Sequence, residues 1–399
     1  MIAAAIDTEP ACPEAPSTTL TATSRLRIVP SELAAIPRAT WDALVDATPT
    51  ATPFSAWAFH RAWWDAYGEN AHEQTLVAVR DGDEDATNIV AIVPLMHRHE
   101  VEPGDAALHT TLRHDPGAAL TPVPPTAKAI FFGASYHADY ATILARPADL
   151  PAVAEALVEH LGSDTQPPGH EQPWDVVDLR RLRCDDPAAD ALAAAFRRRE
   201  MAAGWTLNLE REDVCPVVTL PTGGTMDDYL AMLDKKERHE VRRKVRRAEA
   251  VGEVVLAESP DPLADLDAFI ELHQRRWGAD GLFPPTAGGD QSRTLFRRLF
   301  EHFGPAGAFR LSVLSVGGRR IACGVHFETP DTVLYYNAGV DPDARDLSPG
   351  VLMVERFIRR AIERGQTRID FLRGDEPYKY EWGAVDEPIQ RLLVRRRVG

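Results

Sequence analysis

The chain has 399 residues, 44% of them apolar and 26% charged, with a formal net charge of −16. That length exceeds one ordinary hydrophobic core and predicts two or three domains, while the acidic balance argues against general nucleic-acid binding through the overall field. No stretch reaches the roughly 18 apolar residues needed to cross a bilayer, so no transmembrane segment is expected.

Residues 1–24 are rich in Pro, Thr and Ser and carry no basic residue before Arg25, which predicts a disordered tail without a secretory n-region. Cys12, Cys184, Cys215 and Cys323 are isolated, with no metal-like pairing, and a reducing cytoplasm is the expected setting. His97 and His99 alternate toward one face but have no third ligand nearby, so no metal is expected.

In chain order, "RLRIVP" predicts a strand and "PRATWDALVDAT" a helix with Trp41 and Leu44 inward. "PFSAWAFHRAWWDAYG" is a helix stopped by Gly68, its aromatics assigned to core. The strands "TLVAVRDG" and "NIVAIVPLMHRH" follow, then a loop from about Glu100 to Thr126. "AIFFGASYHADYATIL" reads as strand, glycine turn and strand, "ADLPAVAEALVEHLG" as an amphipathic helix, "WDVVDLRRL" as a strand and "PAADALAAAFRRREMAAG" as a helix.

A second series begins near Cys215. Thr225 caps one long helix, "MDDYLAMLDKKERHEVRRKVRRAEAVG", with Leu230, Val241, Val245 and Ala248 on a common face. "DLDAFIELHQRRWG" is a helix, and three strands between Phe309 and Val340 turn at Gly317-Gly318 and Pro330-Asp331. "SPGVLMVERFIRRAIERG" is a helix with Ser348 at its cap and Gly365 past its end. A last strand around Asp370 leads into "GDEPYKYEW". Both halves contain strand, turn, strand and later a helix leading to a strand, so an α/β (α+β) fold of two duplicated domains is expected, at 25–209 and 210–399.

Three features of the second half carry candidate chemistry. The helix start at Ser348, Pro349 and Gly350 offers backbone N–H groups and a positive dipole end to a phosphate or oxyanion. Lys235, Arg238, Arg242 and Arg246 form one stripe within "KKERHEVRRKVRR", which holds eight Lys or Arg among thirteen residues and supplies forked donors for phosphate. Lys379, between Tyr378 and Tyr380, is placed to stabilise negative charge, and a tyrosine there can act as general acid. No GxSxG elbow or Ser/His/Asp order accompanies them, which favours direct transfer between two bound substrates.

Taken together, "TMDDYLAMLDKKERHEVRRKVRRAEAVGEVVL", "FIELHQRRWG", "LYYNAGVDPDARDLSPGVLMVERFIRRAIERG" and "DFLRGDEPYKYEWGA" resemble the second domain of CelD/BcsL-type proteins of the GNAT acetyltransferase superfamily. "PFSAWAFHRAWW", "IVAIVPL", "FFGASYHADY" and "WDVVDLRRL" match the pattern of their first part. The resemblance implies tandem GNAT-like folds with mixed central sheets flanked by helices, arranged as in the Fem peptidyltransferases, which use aminoacyl-tRNA. It implies an N-acyltransferase associated with polysaccharide or cell-envelope synthesis, with the catalytic site in the second domain. Its donor would be acetyl-CoA or another acyl-CoA held at Ser348, Gly350 and Val351. "ARDLSPG" departs from the usual Arg/Gln-x-x-Gly-x-Gly/Ala motif in having Gly350 alone.

On this reading an amine or amino-sugar acceptor, a small molecule or glycan precursor, attacks the activated carbonyl. Lys379 stabilises charge, Tyr378 or Tyr380 donates a proton, and Asp375 or Glu376 orients or deprotonates the amine. Lys235, Arg238, Arg242, Arg246, Trp277 and Tyr336 contact the phosphorylated substrate. The alternatives are a Fem-like transferase using aminoacyl-tRNA and a non-catalytic module that binds for a polysaccharide machinery.

Overall fold

The computed structural model describes residues 25–83, 88–98, 120–163, 174–305 and 307–396. The expected tail, His99 and most of the loop from Glu100 to Thr126 lie outside them. The first half comprises β1 (Leu26–Pro30), α1 (Arg38–Ala47), α2 (Trp57–Tyr67), β2 (Ala71–Glu73), β3 (Leu76–Arg80), β4 (Ile89–Val93), β5 (Leu95–Arg98), β6 (Ala129–Phe132), β7 (Leu144–Ala145), α3 (Leu150–Leu161), β8 (Val176–Arg183), α4 (Pro187–Ala203) and β9 (Thr206–Thr219). The second comprises α5 (Met226–Met232), α6 (Lys235–Glu249), β10 (Val254–Glu258), α7 (Pro262–Trp277), α8 (Ala287–Phe303), β11 (Phe309–Val316), β12 (Arg319–Glu328), β13 (Thr332–Val340), α9 (Pro349–Glu363), β14 (Arg368–Asp370), α10 (Pro377–Glu381) and β15 (Val385–Arg395).

Each half contains the same kernel. In the first, β6 and β8 run parallel with α3 as the crossover; in the second, β13 and β14 run parallel with α9 as the crossover. The repetition is one of topology and supports the duplication expected from the sequence pattern.

The halves exchange their last strands. β9 follows the first half's α4 yet pairs with β14, and β15 ends the second half yet pairs with β8. Between these positions β9 and β15 pair antiparallel from Val217↔Val385 to Thr206↔Arg395. The result is an 11-stranded sheet in the order β10-β11-β12-β13-β14-β9-β15-β8-β6-β5-β2, with β1-β3-β4-β7 as a separate sheet. The expected boundary between 209 and 210 falls inside β9.

The three largest apolar cores among the described residues follow from this arrangement. α3 and α4 bury Val153, Leu157, Leu192 and Phe196 against the first half's sheets. An aromatic core joins Phe54, Phe59 and Trp63 to Phe269, Phe296, Phe309 and Phe327, so the aromatics of α2 and the turn before it pack on α7, α8 and the second half's strands. On the opposite face α5, α6 and α9 bury Tyr229, Val241, Leu352 and Phe357.

The seam also carries charge. Arg391 of β15 is 1% exposed and donates from Nε and one terminal nitrogen to the two oxygens of Asp178 on β8, at 2.6 and 2.7 Å. Its other terminal nitrogen reaches Glu210 of β9 at 3.1 Å and donates to the Thr121 carbonyl at 2.8 Å. Removing one partner of so buried a pair leaves an uncompensated charge. Arg391→Met is expected to lower unfolding free energy by about 3–5 kcal/mol in urea titrations, whereas Arg391→Met with Asp178→Leu should recover much of it.

Candidate functional site

β13 and β14 are the strands on which a site can be mounted. Thr332, Val333 and Leu334 face Arg368, Ile369 and Asp370, and there the pairing ends while β13 continues to Val340. A gap therefore opens between Tyr335 and Tyr336 on one side and Phe371 to Gly374 on the other. Alternation sends Tyr335 toward Phe357 of α9 and Phe371, and Tyr336 toward Phe296 of α8. Gly339 is required on this strand because a Cβ would lie 2.4 Å from the His273 nitrogen of α7.

The chain beyond β14 is held by Lys379. Its side chain is 3% exposed, and its ammonium donates to the carbonyls of Leu372, Arg373 and Gly374 at 2.9, 2.9 and 2.8 Å. Glu376 Oε2 lies 2.9 Å from the same nitrogen. This cradle holds Leu372 at φ 58° and Gly374 at φ 105°, conformations that side chains disfavour. The three ammonium protons are thus directed at main-chain carbonyls, which does not fit the expectation that Lys379 meets a charge developing on substrate.

The lysine and its two tyrosines lie on a helical turn, α10. Helical spacing separates the rings: Tyr378 is 39% exposed and edges against Phe371, whereas Tyr380 donates to Asp386 at 2.7 Å. Burial of the hydroxyl, with Tyr335 and Glu376 adding to it, pushes the Tyr378 phenol well above its ordinary value. Asp375 is buried, and Glu376 occupies the cap position of α10.

Below the gap, Asp370 accepts from Tyr140 at 2.8 Å and from the Leu372 nitrogen at 2.7 Å. Burial raises its carboxyl to about 6 despite these bonds.

At the mouth of the gap stands the N-terminus of α9. Ser348 occupies the cap position in the left-handed conformation, φ 56°, but its Oγ accepts from Arg247 of α6 at 2.8 Å and does not cap the helix. Gly350 is exposed with open space around its Cα, and Val351 lies in the same first turn.

Beside α9 is a groove of about 610 Å³ between α5, α6 and α9. Lys235, Arg238, Arg242 and Arg246 all line it, with Arg359 contributed by α9. Two carboxylates offset part of this charge: Arg242 pairs with Asp227 at 2.8 Å and Arg359 with Glu355 at 2.6 Å. The expected single helix is broken at Leu233 and Asp234, both extended, which lets Leu233 bury near Gly383.

Trp277 and Tyr336 are not in this groove. Trp277 is 47% exposed at the end of α7 under the Arg276 guanidinium, and Tyr336 lies on the other face of the sheet. Among the described residues no group of three or more His, Cys, Asp or Glu is placed to hold a metal.

Sequence reading gave no role to the loop 133–142, which strand periodicity cannot position. Its signal was chemical, in "GASYHADY", where His137, Asp139 and Tyr140 interrupt the small residues.

Residues 235–380 match the family model described as Acetyltransferase (GNAT) domain, so β13, β14, the α9 terminus and the four cations of α6 belong to the matched segment, whereas α5 precedes it. The crystal structure of FemX is similar over 89% of this chain and 96% of its own, with a TM-score of 0.54 and 11% identity. A conserved protein of unknown function from Bacteroides thetaiotaomicron VPI-5482 is similar over 91% and 98%, with a TM-score of 0.51 and 14% identity. A tandem GNAT protein from the clavulanic acid biosynthesis pathway is also similar, at a TM-score of 0.45 and 12% identity over 93% and 98% of the two chains. No curated protein matches the chain. The matched segment lies within the second half, and the chain as a whole has a fold similar to that of FemX.

The lysine cradle gives a direct test. Lys379→Met would strand three carbonyls, and about 3 kcal/mol of unfolding free energy is expected to be lost, with increased hydrogen exchange across 371–376. A variant of wild-type stability would show instead that the ammonium is available to substrate.

Proposed function

We propose that the protein is an N-acyltransferase that moves an acyl group from an activated donor, an acyl-CoA thioester by preference, to an amine or amino-sugar acceptor. The observation that carries this reading is the gap between β13 and β14. From Tyr335 onward β13 has no partner strand on that side among the described residues, so its backbone can hydrogen-bond an extended, amide-containing donor as a strand would. The donor's phosphates would sit at the α9 N-terminus by Ser348, Gly350 and Val351, beside the groove of Lys235, Arg238, Arg242 and Arg246.

Tyr378 is the proposed proton donor to the leaving group. Its raised phenol keeps the proton throughout the neutral range, and its ring borders the gap. Lys379 acts by holding the Leu372–Gly374 carbonyls, a positioning role, and Tyr380 is committed to Asp386. Asp375 and Glu376 support the same loop. Proximity of two held substrates supplies much of the rate. A second reading, an aminoacyl ester delivered on tRNA, is favoured by the length of the cationic groove and by the single glycine at the helix start. Polysaccharide or cell-envelope precursors are the proposed source of acceptors.

Single-turnover assays with acetyl-CoA, longer acyl-CoAs and aminoacyl-tRNA, each with an amine panel, test the proposal. Acylated amine is expected with one donor class; donor binding without any transfer would favour the non-catalytic module. Arg242→Gln with Arg246→Gln should weaken that donor's Kd by roughly tenfold at low salt, since each charge-assisted bond contributes about 1.5–3 kcal/mol before solvent screening. Wild-type affinity in the double variant would make the stripe a solvated face.

A further inference from the structure

The loop 133–142 belongs to the first half, yet it lies across the gap of the second. Tyr336 of β13 donates to the His137 carbonyl at 2.7 Å, and Arg373, beyond β14, pairs with Asp139 at 3.4 Å. The loop therefore touches both lips of the gap. Tyr140 reaches Asp370 beneath it, and the Trp63 indole donates to the Tyr136 carbonyl at 2.9 Å from behind.

Backbone strain gathers at the same place. Ala134, His137, Arg181 and Leu372 all hold positive φ, between 58° and 68°, and the Arg181 carbonyl accepts from Ala141. Four non-glycine residues in the left-handed region around one junction mark a geometry that the surroundings enforce, as happens where a site is preorganised. Asp139 is 14% exposed and Arg373 28% exposed, so this ion pair is largely but not wholly withdrawn from water.

We propose that Asp139, carried to the gap by the first half, binds the acceptor's amino group and takes its proton during acyl transfer. This rests on the acyl-transfer reading and adds to it the residue that recognises the amine. The nitrogen lone pair forms the bond to the acyl carbonyl carbon as the bond from that carbon to the donor's sulfur or oxygen breaks. The leaving atom departs with that electron pair and is protonated by Tyr378, while the proton lost by nitrogen passes to the Asp139 carboxylate.

The groups around Asp139 suit the task. Burial raises its carboxyl above the ordinary value, Arg373, Arg181 and Lys379 offset part of that rise, Glu376 adds to it, and His137 on the same loop is held neutral by burial, at about 3. A raised carboxyl takes up a proton more readily than an ordinary one, and Arg373 beside it favours the ionised form from which it can do so. The second half supplies the donor site, and the first half supplies the acceptor's anchor.

The test uses the full-length protein with acetyl-CoA as donor probe and glucosamine, ethanolamine and free lysine as amines. Asp139→Asn is expected to lower kcat/KM for the amine by about 10²–10⁴-fold and leave acetyl-CoA affinity, measured by calorimetry, within about twofold. Asp139→Glu should restore part of the activity. Arg373→Met, which keeps Asp139 and removes its partner, should move the acid limb of the kcat/KM profile to higher pH. This second variant decides the matter should Asp139→Asn fail to fold. An active wild type with an indifferent Asp139→Asn, or an unmoved acid limb in Arg373→Met, overturns this assignment alone. A wild type that acylates none of the amines with acetyl-CoA, longer acyl-CoAs or aminoacyl-tRNA overturns the acyl-transfer reading and this assignment with it.

Discussion

The exchange of β9 and β15 is the constraint on which the rest of the molecule depends. Each strand belongs to one half by sequence and to the other by pairing, so neither sheet is complete alone. Placing β9 beside β14 fixes the far edge of the gap, because β14 is only three residues long and takes its register from Val217–Thr219 on one side and Thr332–Leu334 on the other. The same exchange brings β8, and with it the loop 133–142 between β6 and β7, within reach of the second half. A buried pair at Asp178 and Arg391 then locks the seam with charge, which tolerates little displacement in a medium of low dielectric.

Polar chemistry is layered on that frame. Asp370, Asp139, Arg373 and Lys379 lie within one neighbourhood, each held by a specific partner. The lysine organises carbonyls, burial raises the carboxyl beneath the gap, and burial also raises the carboxyl on the incoming loop while Arg373 pairs with it. Like groups have been given different tasks by their surroundings, as differences in burial and hydrogen bonding allow. On the other face of the sheet the basic groove is separate from this neighbourhood, so phosphate binding and proton transfer need not compete for the same cations.

Much of the local structure was legible in the sequence. Thr225 accepts from the Asp228 nitrogen, Gly317 and Gly318 turn the β11–β12 hairpin with positive φ, and Gly365 follows α9 at φ 75°. The four cations expected on one stripe do line one groove. These signals are local, and a few neighbouring residues determine them.

What the sequence hid depends on distant partners. β15 alternates weakly because both of its faces are covered, and the helix α8 carries glycines in its first turn that mask its apolar face. The helical turn at Tyr378–Tyr380 is too short to show a periodicity, and Pro377 with the carbonyl cradle around Lys379 sets it. The loop 133–142 meets the gap through groups far away in sequence, such as Tyr336, Asp370 and Arg373. The central claim is that donor and acceptor meet in the gap between β13 and β14 under this loop. A crystal structure with an acyl-CoA–amine bisubstrate conjugate tests it most directly: the account predicts density from the α9 N-terminus into the gap, with the amine end against Asp139. Density confined to the groove between α5, α6 and α9, with the gap vacant, would contradict it.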